Sequence, residues 1–301
     1  MASRDDEEGP ASTLPRRQLG RFLRDWRERN GLTIEAAANL VDLSKSALQR
    51  IEAGRNQRVR KQDVQALCEL YEVEPEDTRH AVDLSLQAKR RSLYHTYGGL
   101  FSDTFNMYLG LEASARRLTL YHEQIHGLLQ TPDYARALIF AFYRDGDQDD
   151  IHRRVELRMK RQAIITRKAS PLEVEVLLHE SALRRNIGGR KVMAAQLRHL
   201  AEISKLPNVT VRMQPYDAGS TWGILHGAFT IVEFGTNAKG EPVEPPIVYL
   251  EGAPASDVYL EKADEVQTYS ELAADIRRTS LDEDRTRELI RRVTKEYERE
   301  H

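Results

Sequence analysis

Residues 19–54 read LGRFLRDWRERNGLTIEAAANLVDLSKSALQRIEAG, and the spacing inside this stretch decides the architecture of the first quarter of the chain. Thr33 and Ser44 each stand as an N-cap ahead of a short helical pattern, because a hydroxyl there can accept from the free amides of the first turn. Ala37, Ala38 and Val41 form the apolar face of the first helix, and Ala47, Leu48 and Ile51 that of the second. Small side chains at these positions let two helices cross closely. Val41-Asp42-Leu43 is the turn between them, and Asp42 falls where the backbone most needs a left-handed or capping conformation. Ile51-Glu52-Ala53-Gly54 ends the second helix.

Ser44, Lys45, Ser46, Gln49 and Arg50 are the polar positions of that second helix, grouped toward its N-terminus and one face, as a major-groove reader requires. The charge is local: residues 16–61 carry 12 basic and 5 acidic side chains, a net of +7 in a chain of net −2. A basic module in an otherwise acidic chain suits binding to duplex DNA, whose phosphates release counterions when cations replace them. The competing reading is a plain helical bundle with solvated arginines.

With GLT at 31–33, Val41-x-x-Ser44 at the turn and Ile51-Glu52-x-Gly54 at the helix end, the segment resembles the repressor-like XRE family over about the first quarter of the chain. The resemblance implies Lys45, Ser46 and Arg50 at base edges, with Gln49 a weaker candidate. Thr33 and Ser44 would lie near phosphates, and Arg58 and Arg60, with Arg55 in the same basic tail, near the flanking backbone or minor groove. Ile34 stands where such proteins often place a DNA-contacting Gln, and Asp42 replaces their usual turn Gly.

A chain of 301 residues with 40% hydrophobic and 31% charged content is expected to form two globular domains. Residues 1–14 lack periodicity and read as a disordered leader, residues 15–75 as the helix-turn-helix domain, residues 76–98 as a linker helix opened by Pro75, and residues 99–301 as an α+β regulatory or partner-binding domain. No run of apolar residues is long enough to span a membrane and the N-terminus does not resemble a signal peptide, so a cytoplasmic protein with no membrane partner is expected. The single cysteine, Cys68, reads as a buried core residue.

Helices are expected at residues 103–117, 131–143 (capped by Thr131 before Pro132) and 149–167, the last strongly basic with its arginines turned away from the apolar face. That basic face reads either as a second DNA-facing surface or as a solvated helix paired to acids. From Leu172 the period changes: LEVEVLL, VTVRMQ, GAFTIVEF and PIVYLE read as about four strands. Helices at 191–204, 263–278 and 281–300 complete a mixed domain, with Ser280 and Glu283 as a capping box for the last.

His122-Glu123-x-x-His126 matches a zinc-peptidase signature, in which two histidines one helical turn apart hold the metal and the glutamate activates water. Leu118-Thr119-Leu120-Tyr121 is β-prone and Gly127 follows directly, which disfavours the helix that this chemistry needs; Glu156 is the nearest candidate third ligand. The enzyme alternative is a helix-turn-helix fused to an ImmA-like metallopeptidase. A longer match points elsewhere: Gly127-Leu128-Leu129-Gln130-Thr131-Pro132-Asp133-Tyr134-Ala135-Arg136-Ala137 resembles the G-L-L-Q-T-x-x-Y-A-R-A segment of WhiJ-like actinobacterial regulators. Further similarity, from 158–162 through 248–251, extends it over nearly the whole chain. This implies an XRE-type transcriptional regulator that is not an enzyme and needs no cofactor or metal. Its C-terminal domain would sense a small-molecule effector or bind a small protein encoded by a neighbouring gene, and an antitoxin-like module with secondary DNA binding is the alternative. A homodimer is expected because one short recognition helix reads few base pairs. His179 reads as structural, Gly188-Gly189 as a turn, and residues 217–226 as a loop that either connects or contacts a ligand.

Overall fold

A computed structural model describes residues 13–54, 59–88, 100–143, 146–168, 170–219, 222–236, 242, 244–252 and 257–299. The chain divides into two compact units, residues 1–111 and 112–301.

The first unit is helical: α1 (Thr13–Arg29), α2 (Ile34–Leu40), α3 (Lys45–Glu52), α4 (Lys61–Leu70) and α5 (Pro75–Ala88). Leu19 and Leu23 of α1 meet Ala37, Ala38, Leu48, Ile51, Val64, Leu67 and Cys68 in one core, with Tyr71 and Ala81. Burial raises the Cys68 thiol to about 11, so it stays protonated and packs as a small apolar residue. Gly20 lets α1 approach the end of α3: a Cβ there would lie 2.5 Å from the carbonyl oxygen of Ile51. Two ends of the same contact are tied electrostatically. Arg27 donates from Nε and Nη2 to the two carboxylate oxygens of Glu52 at 2.7 and 2.9 Å, and from Nη1 to the Leu32 carbonyl at 2.8 Å. Both side chains of this pair are buried, and the carboxylate holds the guanidinium above its ordinary pKa. Arg24 adds a hydrogen bond to the Glu52 carbonyl at 3.0 Å.

The division between units falls within α6 (Asp103–Ser114). The second unit is built on a six-stranded sheet of order β3-β2-β1-β4-β5-β6, from β1 (Arg117–His122), β2 (Glu173–His179), β3 (Val209–Gln214), β4 (Phe229–Glu233), β5 (Ile247–Leu250) and β6 (Val258–Leu260). β1, β2 and β3 run parallel, and β4, β5 and β6 each pair antiparallel with the preceding neighbour in the sheet. Parallel neighbours need helical crossovers. These are α7 (Pro132–Phe142), α8 (Gln148–Arg161) and α9 (Ala163–Thr166) between β1 and β2, then α10 (Ser181–Arg184) and α11 (Arg190–Ile203) between β2 and β3. α12 (Trp222–His226) precedes β4, and α13 (Ala263–Thr279) and α14 (Glu283–Arg299) end the chain. Val266, Leu272, Ala273 and Ile276 of α13 cover one sheet face, on Tyr121, Leu177, Phe229, Ile231 and Val248. The free edge of β3 is closed at Met213, whose amide donates to Thr286 Oγ1 at 3.0 Å and whose carbonyl accepts from the Leu281 amide at 2.8 Å.

The α+β class and the four expected strands are present, but the sheet has two more. β1 takes in the β-prone run at Leu118–Tyr121 and extends it by one residue at each end, with every residue after Arg117 buried. β6 is only three residues long. The helix expected to run to residue 117 stops at Ser114, and that expected at 149–167 is interrupted at Gln162. Its arginines do not all face away from the core: Arg161 is buried in a two-bond pair with Glu112 at 2.7 and 2.8 Å, and Arg154 is buried against the Tyr143 ring and hydroxyl. The capping box at Ser280 is not formed. Asp282 accepts from the Arg285 amide at 2.8 Å instead, while the Ser280 hydroxyl turns back to the Ile276 carbonyl. Residues 222–226, expected as loop, are helical, and Gly223 lies so close to Tyr121 that a Cβ would meet its ring. The leader's residues 1–12, and residues 89–98 of the expected linker helix, lie outside the described residues.

Replacing Glu52 by Gln leaves the buried Arg27 guanidinium with only the exposed Glu28 carboxylate as counter-charge, and is expected to cost about 3–5 kcal/mol in urea unfolding of the first unit. The paired change Glu52→Met with Arg27→Met should recover most of that loss, since no charge is then stranded. A second expectation concerns acid. Burial holds His122 neutral down to about pH 4 and depresses His126 as well. The unfolded chain takes up those protons once the pH falls below the ordinary value of 6.5 and the folded chain does not. Stability of the second unit is therefore complete above 6.5 and declines as the pH drops toward about 4. A His122→Asn, His126→Asn chain should show a shallower decline in a pH series of thermal midpoints.

Candidate nucleic-acid interface

The two caps expected from the sequence are made. Thr33 Oγ1 accepts from the Ala36 amide at 3.1 Å and Ser44 Oγ from the Ala47 amide at 3.2 Å, each from the extended backbone of an N-cap. Between α2 and α3 the chain turns through Asp42 at φ 54°, and the amides of Val41 and Leu43 both close on the Ala38 carbonyl. A non-glycine residue in this region carries strain, and the aspartate is among the residues that tolerate it best. Leu48 and Ile51 anchor the inner side of α3 in the core. Its outer side presents what remains.

Ser44, Lys45, Ser46, Gln49 and Arg50 are all exposed, as are Thr33 ahead of α2 and Arg60 ahead of α4. Lys45 Nζ is not idle: it donates to Glu35 Oε2 at 3.0 Å, from the first turn of α3 to the first turn of α2. Both ends of that pair are more than half exposed, where such pairs contribute little and a phosphate can displace the carboxylate. Ser44 and Ser46 hydroxyls stand 3.2 Å apart. Ile34, the position where a polar DNA contact is often found, instead packs partly buried against the core. Arg55 and Arg58 lie outside the described residues. Arg27, Glu52 and Gly20, which hold α3 in place, carry no signal in a search for polar surface residues. Glu52 four residues from Leu48 on an inward face was the only hint that its carboxylate is internal.

In the second unit, the histidine motif does not form the helical arrangement of a zinc peptidase. His122 is the last residue of β1, and His126 caps a 3-10 turn at Gly127–Leu129, its Nδ1 accepting from the Leu128 amide at 3.4 Å. The rings lie 5.2 Å apart, and Glu123 between them pairs with Arg185 at 3.3 Å. Glu156 is exposed and pairs with Lys160. Among the described residues no group of three His, Cys, Asp or Glu side chains is placed to hold a metal ion. His179 at the end of β2 bonds through Nδ1 to Ser181 Oγ at 2.8 Å, with its ring edge-on to Tyr216, which is a local structural use of the side chain. Gly188 and Gly189 both take positive φ in the turn before α11.

Among the described residues no helix is long and apolar enough to cross a membrane. Residues 18–81 match a family model described as a helix-turn-helix domain, which supports a DNA-binding regulator. Residues 105–292 match a model described as a domain of unknown function, DUF5753. No curated protein and no solved structure matches the chain. With that second match covering more than half of its length and the first lying ahead of it, the chain belongs to the DUF5753 family and carries a helix-turn-helix domain at its N-terminal end.

Proposed function

We propose that the chain is a sequence-specific, repressor-like transcriptional regulator of the WhiJ-like kind, binding duplex DNA as a homodimer through α3 and receiving its signal through the second unit, without enzymatic activity. The observation that carries this reading is the outer side of α3. Five exposed polar residues, Ser44 through Arg50, sit on a helix whose inner side is fixed in the core. Arginine and glutamine at 50 and 49 have the donor geometry for guanine and adenine edges, and the capped amides at Ser44 lie where a phosphate approaches a helix start. A dimer doubles the few base pairs that one short helix reads. That His122 ends a strand and His126 caps a 3-10 turn, with Glu123 paired to Arg185, supports the non-enzymatic part.

Input through a protein partner, the antitoxin-like reading, is favoured by one observation: Phe140 and Phe142 near the end of α7 are 51% and 65% exposed. Exposed aromatic surface of this kind is commonly covered by another protein.

On an operator found by genome-wide mapping of binding sites, Arg50→Ala and Lys45→Ala are each expected to weaken binding by about 1–3 kcal/mol and to relax base preference. Gel-shift titrations against a base-substituted operator series read both effects. Binding that is unchanged in both variants would overturn the assignment of α3 as the reading helix.

A further inference from the structure

The order of the strands singles out one place in the second unit. From β1 the chain moves outward to β2 and β3 on one side, then returns to the other side of β1 with β4. In open sheets with parallel strands, ligands bind beyond the carboxyl ends of the strands where the direction of winding reverses. Here the strand beyond β1 is the antiparallel β4, so β1 is the last of the parallel strands, and its carboxyl end is His122. β5, antiparallel to β4 as β1 is, also runs in the β1 direction, so Glu251 just beyond it emerges at the same end of the sheet.

The loop after His122 wraps Arg158 of α8. Arg158 Nη1 donates to Gln130 Oε1 at 2.8 Å, and its side chain runs beside Gly127, where a Cβ would lie in ordinary contact with Nε at 3.6 Å. Gln162 fastens the same loop, donating to the Gly127 carbonyl at 3.1 Å and the Gln130 carbonyl at 2.7 Å. The two arginines near this loop, Arg158 and Arg161, are held differently. Arg161 is matched by Glu112 through two hydrogen bonds. Arg158, by contrast, makes no ion pair among the described residues; its one hydrogen-bond partner is a neutral amide, and the carboxylates of Glu251 and Glu112 act on it only at longer range. Burial and the like charge of Arg161 bring its pKa down to about 10, so it remains a cation at neutral pH. His126 feels both arginines, and burial keeps the two imidazoles neutral. His122 is 5% exposed, and its buried Nε2 has no hydrogen-bond partner among the described residues. A guanidinium offers five donors in a planar fork that fits an oxyanion.

We propose that the carboxyl end of β1 is a binding site for a small molecule bearing a carboxylate or phosphate group, with Arg158 as its anchor and His122 Nε2 as a second contact. Gln130 holds the guanidinium in place, and half-burial leaves it within reach of solvent. The site is independent of the DNA-binding reading, since its test uses no DNA.

The test follows the thermal midpoint of the full chain during titration with inorganic phosphate and, separately, with acetate, against chloride at matched ionic strength. A saturable rise is expected for at least one of the two anions, because a ligand that binds only the folded state stabilises by mass action. The anion giving the tighter half-saturation identifies the phosphate or the carboxylate class. Arg158→Gln should abolish the rise, and His122→Phe should weaken it. Arg158→Lys keeps the charge but not the fork, and is expected to raise the half-saturation concentration about tenfold. Should Arg158→Gln fail to fold by circular dichroism, the lysine variant decides. No saturable rise with either anion, or the same half-saturation in the Arg158 variants as in the parent chain, would overturn the site.

Discussion

The buried pair between Arg27 and Glu52 is the interaction on which the first unit turns. α3 has only eight residues, far too few for a helix to persist alone in water. It exists because Leu48 and Ile51 enter a core and because its last residue is clamped to α1 by a guanidinium fork. The same clamp orients it. Arg27 also reaches the Leu32 carbonyl ahead of α2, so one side chain on α1 fixes the end of α3 and the approach to α2 together. Gly20 permits the backbones to meet at that point, and every exposed position on α3 is thereby left unencumbered by packing.

Where local chemistry set the structure, it could be read from the sequence. Thr33, Ser44 and Thr131 are caps because a hydroxyl before a helical pattern has one dominant use, and all three make the expected bond. Asp42 takes the left-handed conformation that its place in the turn demanded. Long-range pairing was another matter. Arg27 counted toward a basic surface, yet its charge is spent inside the unit on a partner 25 residues away. The arginines of α8 misled in the same way: guanidinium groups look solvated in a sequence, and Arg154 and Arg161 are instead buried against Tyr143 and Glu112. The β-prone run at Leu118–Tyr121 was visible as an argument against a helix, but its place in the sheet was not, because its partners at 173–178 and 229–233 lie far along the chain. Of the candidate site, the exposed residues of α3 were legible and the residues that hold α3 were not.

The stretch from Gly127 to Ala137 has a physical basis in the second unit. Leu128, Leu129, Tyr134 and Ala135 are fully buried. Gln130 donates to the Ile125 carbonyl at 2.6 Å and accepts from Arg158, while Gln196 donates to the Leu129 carbonyl and accepts from the Thr131 amide. Three glutamines, at 130, 162 and 196, thus satisfy backbone groups around the 3-10 turn at Gly127–Leu129 and ahead of α7. A buried irregular segment needs such partners for nearly all of its amides and carbonyls. That need accounts for a motif which is long and specific although none of its residues is reactive.

The central place of β1 in the sheet also governs when the second unit can form. Residues 117–122 are flanked by 173–179 on one side and 229–233 on the other, so the strand made first has both neighbours far downstream. Such non-local pairing makes for slow folding. During synthesis the helical unit, whose contacts are all local by comparison, is complete long before β4 leaves the ribosome, whereas β1 emerges early and waits with an apolar surface uncovered. The chain therefore gains its helical N-terminal unit first and the sheet that completes it last, and a truncated product ending before residue 229 would keep the former without the latter.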